Sequence, residues 1–146
     1  MNRILLAAAL LLLPAASTRA EPPGLDLWSK NHPQASRELG RWVKNHPQAA
    51  RLMFEWDGTH PERSREFVGW TVAHPAQPVG TFIALHPDWP GFNAIAQGHR
   101  PALNAFMAWS RRHPPAAEAL MAHPAGLRWA GEHLYAEYWQ LRRPMR

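Results

Sequence analysis

Trp42-Val43-Lys44-Asn45-His46-Pro47 and Trp56-Asp57-Gly58-Thr59-His60-Pro61, joined by Gln48-Ala49-Ala50-Arg51-Leu52-Met53-Phe54-Glu55, show the organising unit of this chain twice over. A tryptophan stands four residues before each histidine, and each histidine is followed directly by proline. The nine histidines fall at 32, 46, 60, 74, 86, 99, 113, 123 and 133, spaced 14, 14, 14, 12, 13, 14, 10 and 10 residues apart. Seven are followed at once by proline, and His99 reaches Pro101 one residue late. The residues four before each histidine are Trp28, Trp42, Trp56, Trp70, Phe82, Ile95, Trp109, Ala119 and Trp129; seven before stand Leu25, Leu39, Met53, Phe67, Val79, Phe92, Phe106, Ala116 and Gly126. Self-similarity at a fixed period is the signature of a repeat architecture.

Proline inside a helix costs about 3 kcal/mol, and it pushes the residue before it out of the helical region. One continuous helix is therefore excluded. Proline is welcome at the first helical position, so each His-Pro predicts a helix start with histidine at the cap. One unit then reads as a helix from Pro47 to about Trp56, followed by a turn at Asp57-Gly58-Thr59. Ala35, Leu39 and Trp42, and again Ala49, Met53 and Trp56, lie at i, i+4 and i+7, one apolar stripe per helix. Helices of about 10 residues are not stable alone in water, so each must bury its stripe against others. The expected fold is all-α, an array of about eight or nine short helices in a single compact or solenoid-like domain. Between Pro75 and Phe92, where Pro78, Pro90 and Gly91 are added, the pattern loosens and predicts a bend or an exposed loop. The last two units are four residues shorter and read as a tapering end, closed by a helix over His133-Leu134-Tyr135-Ala136-Glu137-Tyr138-Trp139.

The 146 residues suffice for one domain, and the absence of cysteine excludes a disulfide scaffold and cysteine-ligated metal sites. Residues 1–20 have the layout of a secretory signal: Arg3, an apolar run from Ile4 to Ala16, and Thr18 and Ala20 at small-residue cleavage positions. The expectation is a cleaved signal peptide over 1–20 and an exported helical domain over 21–146, in the periplasm or outside the cell. No later apolar run is long enough to span a bilayer. Without Arg3 and Arg19 there remain 14 basic and 11 acidic side chains, a formal charge of +3. That small surplus, with no dense basic run, argues against a nucleic-acid partner.

Short amphipathic helices opened by a polar residue and proline, here His-Pro and the Asn-His-Pro starts at 31–33 and 45–47, resemble the Asn-Pro-punctuated helix modules of ubiquilin-type co-chaperones. This chain has His where Asn is usual in that family, and Trp where Met is. The resemblance implies a helical groove that holds apolar segments of client proteins. The chain also resembles His-Pro arrays of exported bacterial proteins, which implies an architecture and no activity.

The residues themselves leave two functional readings. The first is a non-catalytic interaction protein that contacts a protein or peptide through an apolar groove and uses no cofactor. Trp89 and Trp139, outside the repeat register, together with Phe92 and Tyr138, are its candidate exposed binding aromatics. The second is a histidine-based Cu, Zn or Ni site. If successive helices run up and down, His32, His60, His86, His113 and His133 share one edge and are its candidate ligands. A metal needs at least two imidazoles to converge, because metal–nitrogen bonds are about 2.0–2.1 Å long. A structural role needs each imidazole beside its own tryptophan and helix start. No paired carboxylates, glycine-rich phosphate loop, activated nucleophile or two-histidine i, i+4 motif points to catalysis.

Overall fold

The computed structural model describes residues 25–123, 126–130 and 133. The protein is all-α. Among the described residues there are eight helices: α1 Leu25–Asn31, α2 Pro33–Asn45, α3 Pro47–Thr59, α4 Pro61–Ala73, α5 Val79–Leu85, α6 Pro90–Gly98, α7 Arg100–Arg112 and α8 Pro114–Met121. A further helical segment runs over 126–130. Among the described residues, no helix is long and apolar enough to cross a membrane.

Helices open at Pro33, Pro47, Pro61, Pro90 and Pro114, and α7 carries Pro101 in its first turn. The expected turn at Asp57-Gly58-Thr59 is helix instead, and α3 passes into α4 through His60 alone. His32, His46, His99 and His113 likewise join neighbouring helices as single residues. The corner has one geometry throughout: His32, His46, His60, His74, His86, His99 and His113 have φ between −126° and −140° and ψ between 48° and 72°. Where proline follows the histidine directly, it forces this by barring its predecessor from the helical region, whereas His99, followed by Arg100, takes the same geometry without that restriction. The backbone ladder nevertheless continues through the corner. His46 donates its N–H to Trp42 O at 2.9 Å and accepts from Ala50 N–H at 2.9 Å, closing one helix and opening the next.

The imidazoles do not cap the helices that follow: no side-chain cap bond forms at His32, His46, His60, His99 or His113. At His60, His74, His86 and His133 the ring turns back to the helix behind. His74 Nδ1 lies 2.9 Å from Trp70 O, and His86 Nδ1 3.0 Å from Phe82 O, four residues upstream in each case. A protonated Nδ1 donates there to a carbonyl left without an intrahelical partner at the helix end.

The array folds back on itself. The loosened region does contain an exposed loop, residues 74–78, followed by the short α5. Beyond it, the second half returns along the first, with α1 packing on α8, α2 on α7 and α3 on α6, while α4 is packed against both α7 and α8. Three tryptophans tie this pairing. Trp42 Nε1 of α2 donates to Ala102 O in the first turn of α7 at 2.8 Å, and Trp109 Nε1 of α7 donates back to Ala35 O in the first turn of α2 at 2.9 Å. Trp28 of α1 reaches Ala116 O of α8 at 2.8 Å. Trp56 of α3 also lies against the first turn of its partner α6, over Gly91, where its indole carbons and nitrogen come near the space a Cβ would fill.

The apolar stripes converge on one core in which Phe67, Phe82, Phe92 and Phe106 are packed ring to ring, Phe67 at 4.9 Å from Phe82 and 4.8 Å from Phe92. Polar side chains serve as connectors at its margin. Asn104 Oδ1 accepts the Val79 N–H at 2.8 Å, so a side chain on α7 caps α5. Arg111 donates to the carbonyls of Thr71, His74 and Gln77, holding the end of α4 and the reversal loop together. Asp57, at the end of α3, accepts the N–H of Arg128 at 3.4 Å, so it faces the start of the final helical segment. Its pKa is raised, because burial outweighs the stabilising N–H groups of Arg128 and Leu127. Gly126 sits so close to α8 that a Cβ there would run into the carbonyl oxygen of Leu120.

Candidate functional site

Because the stripes meet one another across the two halves, little apolar surface remains. Leu27 and Leu85 are the exposed large hydrophobics among the described residues. Trp89 and Phe92, expected as exposed binding aromatics, are core residues: Trp89 is 4% exposed and Phe92 fully buried. The physical reason lies in the reversal. It brings α6 against α3, so Trp89 packs on Trp56 at 5.9 Å and on Phe82 at 5.2 Å, while Arg63 lies over its ring at 5.0 Å. Tyr138 and Trp139, like the expected closing helix beyond His133 and the signal segment 1–20, lie outside the described residues.

The candidate metal ligands stand each beside its own upstream aromatic. His60 stacks on Trp56 at 5.2 Å, His86 on Phe82 at 3.9 Å, and His133 lies 4.4 Å from Trp129. His32 and His113 are tilted against Trp28 and Trp109 at 6.0 and 6.3 Å. His32 and His113 line a common cleft. Among the described residues, no three His, Cys, Asp or Glu side chains are grouped to hold a metal ion. Two histidine–carboxylate contacts do form across the halves, His86 Nε2 with Glu66 at 3.4 Å and His113 Nε2 with Glu38 at 3.1 Å.

The second of these contacts belongs to the most built surface feature, a seam between α2 and the α7–α8 corner. Arg112 directs both Nε and Nη2 to one oxygen of Glu38, at 3.1 and 3.0 Å, and Gln34 Nε2 approaches the other oxygen at 3.3 Å. His113 Nε2 lies near the same carboxylate but off the hydrogen-bonding direction and without another partner. His113 first, then Arg112, hold the Glu38 carboxyl at about 2, well below the ordinary 4.5.

A cleft opens on either side of this cluster. One, of about 210 Å³, is floored by Ala105 and Ala108 above the buried Trp42 and Trp109, and rimmed by Arg41 and Arg112. The other, of about 380 Å³, lies between the first turn of α2 and the start of α8, bordered by His32, Gln34, His113 and Arg112. Arg112 belongs to both. The small side chains Ala105 and Ala108 leave the room, and the indoles beneath are held rigid by their bonds to Ala102 and Ala35.

Sequence reading missed Glu38, Arg41 and the partition role of Arg112. Arg112 was visible as a last-turn cation of α7, but nothing in its neighbours announced a carboxylate 74 residues away. No protein family, curated protein or solved structure matches the chain, so the likeness to ubiquilin-type helix modules is one of punctuation pattern.

Proposed function

We propose that the protein is an exported, non-catalytic binding protein that holds a protein or peptide segment along the seam between α2 and the α7–α8 corner. The observation that carries this reading is the pair of adjoining clefts, walled by both halves of the chain and divided by Arg112. A groove with a rigid apolar floor and a few polar groups at its rim is the usual form of a recognition site. Export rests on the three-part layout of residues 1–20.

The test is selection of octapeptides from a random displayed library on the immobilised protein, followed by NMR of the labelled protein with the selected peptides. The expected footprint covers Asn45, Ala105 and Ala108. A substitution that fills the cleft, Ala105→Phe, abolishes the footprint while the melting temperature stays within a few degrees. Failure to select any peptide that binds below about 100 μM, weaker than about −5.5 kcal/mol, contradicts the reading. So does a footprint confined to Leu27 or Leu85.

A further inference from the structure

We infer that the segment held by the seam is acidic: a peptide stretch whose carboxylates meet Arg41 and Arg112 while a neighbouring apolar side chain rests on Ala105 and Ala108, above the buried indoles of Trp42 and Trp109. This deepens the binding reading and rests on it.

The charges of the seam are unbalanced. Glu38 is its one carboxylate among the described lining residues, against the two guanidinium groups of Arg112 and Arg41. Arg41 is exposed and makes no hydrogen bond or ion pair among the described residues. Arg37, one turn before it on α2, is exposed as well. Arg112 uses Nε and Nη2 on a single oxygen of Glu38. A guanidinium has five N–H donors, so it retains capacity for a second carboxylate in the geometry that arginine prefers. Its side chain is 56% exposed and reachable from solvent.

The second cleft carries the same sign. The first turns of α2 and α8 both line it, and helix starts carry positive partial charge. His32 and His113 border the same cleft and add positive charge when protonated. Among the described residues that line the two clefts, Glu38 alone repels an anion. A lysine-rich segment would set like charges against Arg41 and Arg112, and an uncharged one would offer them neutral acceptors in place of carboxylates. An acidic one supplies them, and the side chain between two carboxylates falls where Ala105 and Ala108 leave space above the indoles. Side chains alternate sides along an extended segment, so an alternating acidic–apolar sequence presents the two kinds of group on opposite faces. In a segment curved into the cleft, they meet rim and floor separately.

The experiment uses blocked octapeptides alternating Glu with Leu, Gln with Leu and Lys with Leu, titrated into the purified protein and followed by tryptophan fluorescence and NMR. The Glu-Leu peptide is expected to bind at the seam at least tenfold more tightly than the Gln-Leu peptide, and the Lys-Leu peptide not at all. Arg41→Glu is expected to weaken Glu-Leu binding at least tenfold. Arg51→Glu, a charge reversal on the exposed face of α3, is expected to change it less than twofold. Raising salt from about 50 to 500 mM weakens the binding several-fold, as the Debye length shrinks. Equal binding of Glu-Leu and Gln-Leu at the seam overturns the acidic preference and leaves the peptide reading standing. Absence of seam shifts with every peptide, including those chosen from the library, overturns both. Equal loss in Arg41→Glu and Arg51→Glu overturns the site in favour of bulk charge attraction. Phosphatidylglycerol vesicles that bind with Arg41 dependence when the Glu-Leu peptide does not would assign the surface to a membrane and overturn the peptide.

Discussion

Two ends of this molecule use one sequence unit differently. At the end built from α1, α2, α7 and α8, the repeat tryptophans Trp28, Trp42 and Trp109 send their indole N–H across to a first-turn alanine carbonyl of the partner helix. Their histidines stand off, tilted by 44–49° with ring centroids 6.0–6.3 Å apart. At the end built from α3 to α6, Trp56, Trp70 and Phe82 make no such bond, and the imidazoles of His60, His74 and His86 stack on them at 3.9–5.2 Å. There each Nδ1 bonds back to the carbonyl four residues upstream. Turning an indole so that its N–H crosses to another helix withdraws its face from the following imidazole. The repeat thus supplies a corner, and the local partner decides whether the aromatic joins the two halves or packs on its own histidine. The crossing end is also the end that carries the seam.

The contrast breaks most visibly at the crossing tryptophans. Trp109→Ala removes a fully buried ring and the donor to Ala35, and is expected to cost about 3–5 kcal/mol in a urea melt. Trp70→Ala removes a partly buried ring without a crossing bond and is expected to cost about 1–2 kcal/mol, since less area returns to water. Equal losses would remove the distinction.

Next in size is Arg111, which holds the reversal on which the pairing of halves depends. Arg111→Met keeps much of the aliphatic stem but releases the carbonyls of Thr71, His74 and Gln77. A loss of about 2 kcal/mol is expected, with faster amide exchange at 74–78. A conservative pair of substitutions isolates the hydrogen bond alone. Trp42→Phe is expected to cost about 1–2 kcal/mol more than Trp70→Phe, because only the former leaves a carbonyl at a buried helix start without its indole.

Smallest are the carboxylates, which titrate in opposite directions. Glu38 has a folded pKa of about 2, below its ordinary 4.5, so its contribution is present above 4.5 and is lost as pH falls from 4.5 toward 2. Asp57 has a folded pKa above its ordinary 3.8, so its ionised form disfavours the fold, and stability is lost as pH rises through that folded value. Carboxyl-carbon NMR titration is expected to place Glu38 lowest and Asp57 above 3.8. The reverse order would contradict the electrostatics of both ends.

The helix starts were legible because proline at a first turn and its restriction on the preceding residue are local effects. A bend or exposed loop between Pro75 and Phe92 was legible from the added Pro78, Pro90 and Gly91, but not that the chain reverses there. The single-residue corners were not. Asp57-Gly58-Thr59 reads locally as a turn, and only its place between α4 and the final segment keeps it helical, with Asp57 buried. Trp89 reads as an aromatic outside the register, and Phe92 as exposed although it keeps the register, because their burial depends on Trp56 of α3, more than 30 residues away in the chain, together with Phe82 of α5. The seam was hidden for the same reason: Glu38, Arg41 and Arg112 come together through the pairing of α2 with α7, which no periodicity in the sequence encodes.

The measurement that bears most directly on the repeat as architecture is hydrogen exchange of the eight indole N–H groups, read by nitrogen-resolved NMR. Trp28, Trp42 and Trp109 are expected to exchange at least a hundredfold more slowly than Trp70, at rates that follow unfolding of the whole domain. Rapid exchange at Trp42 and Trp109, matching Trp70, would show that these side chains do not join the halves and would contradict the account.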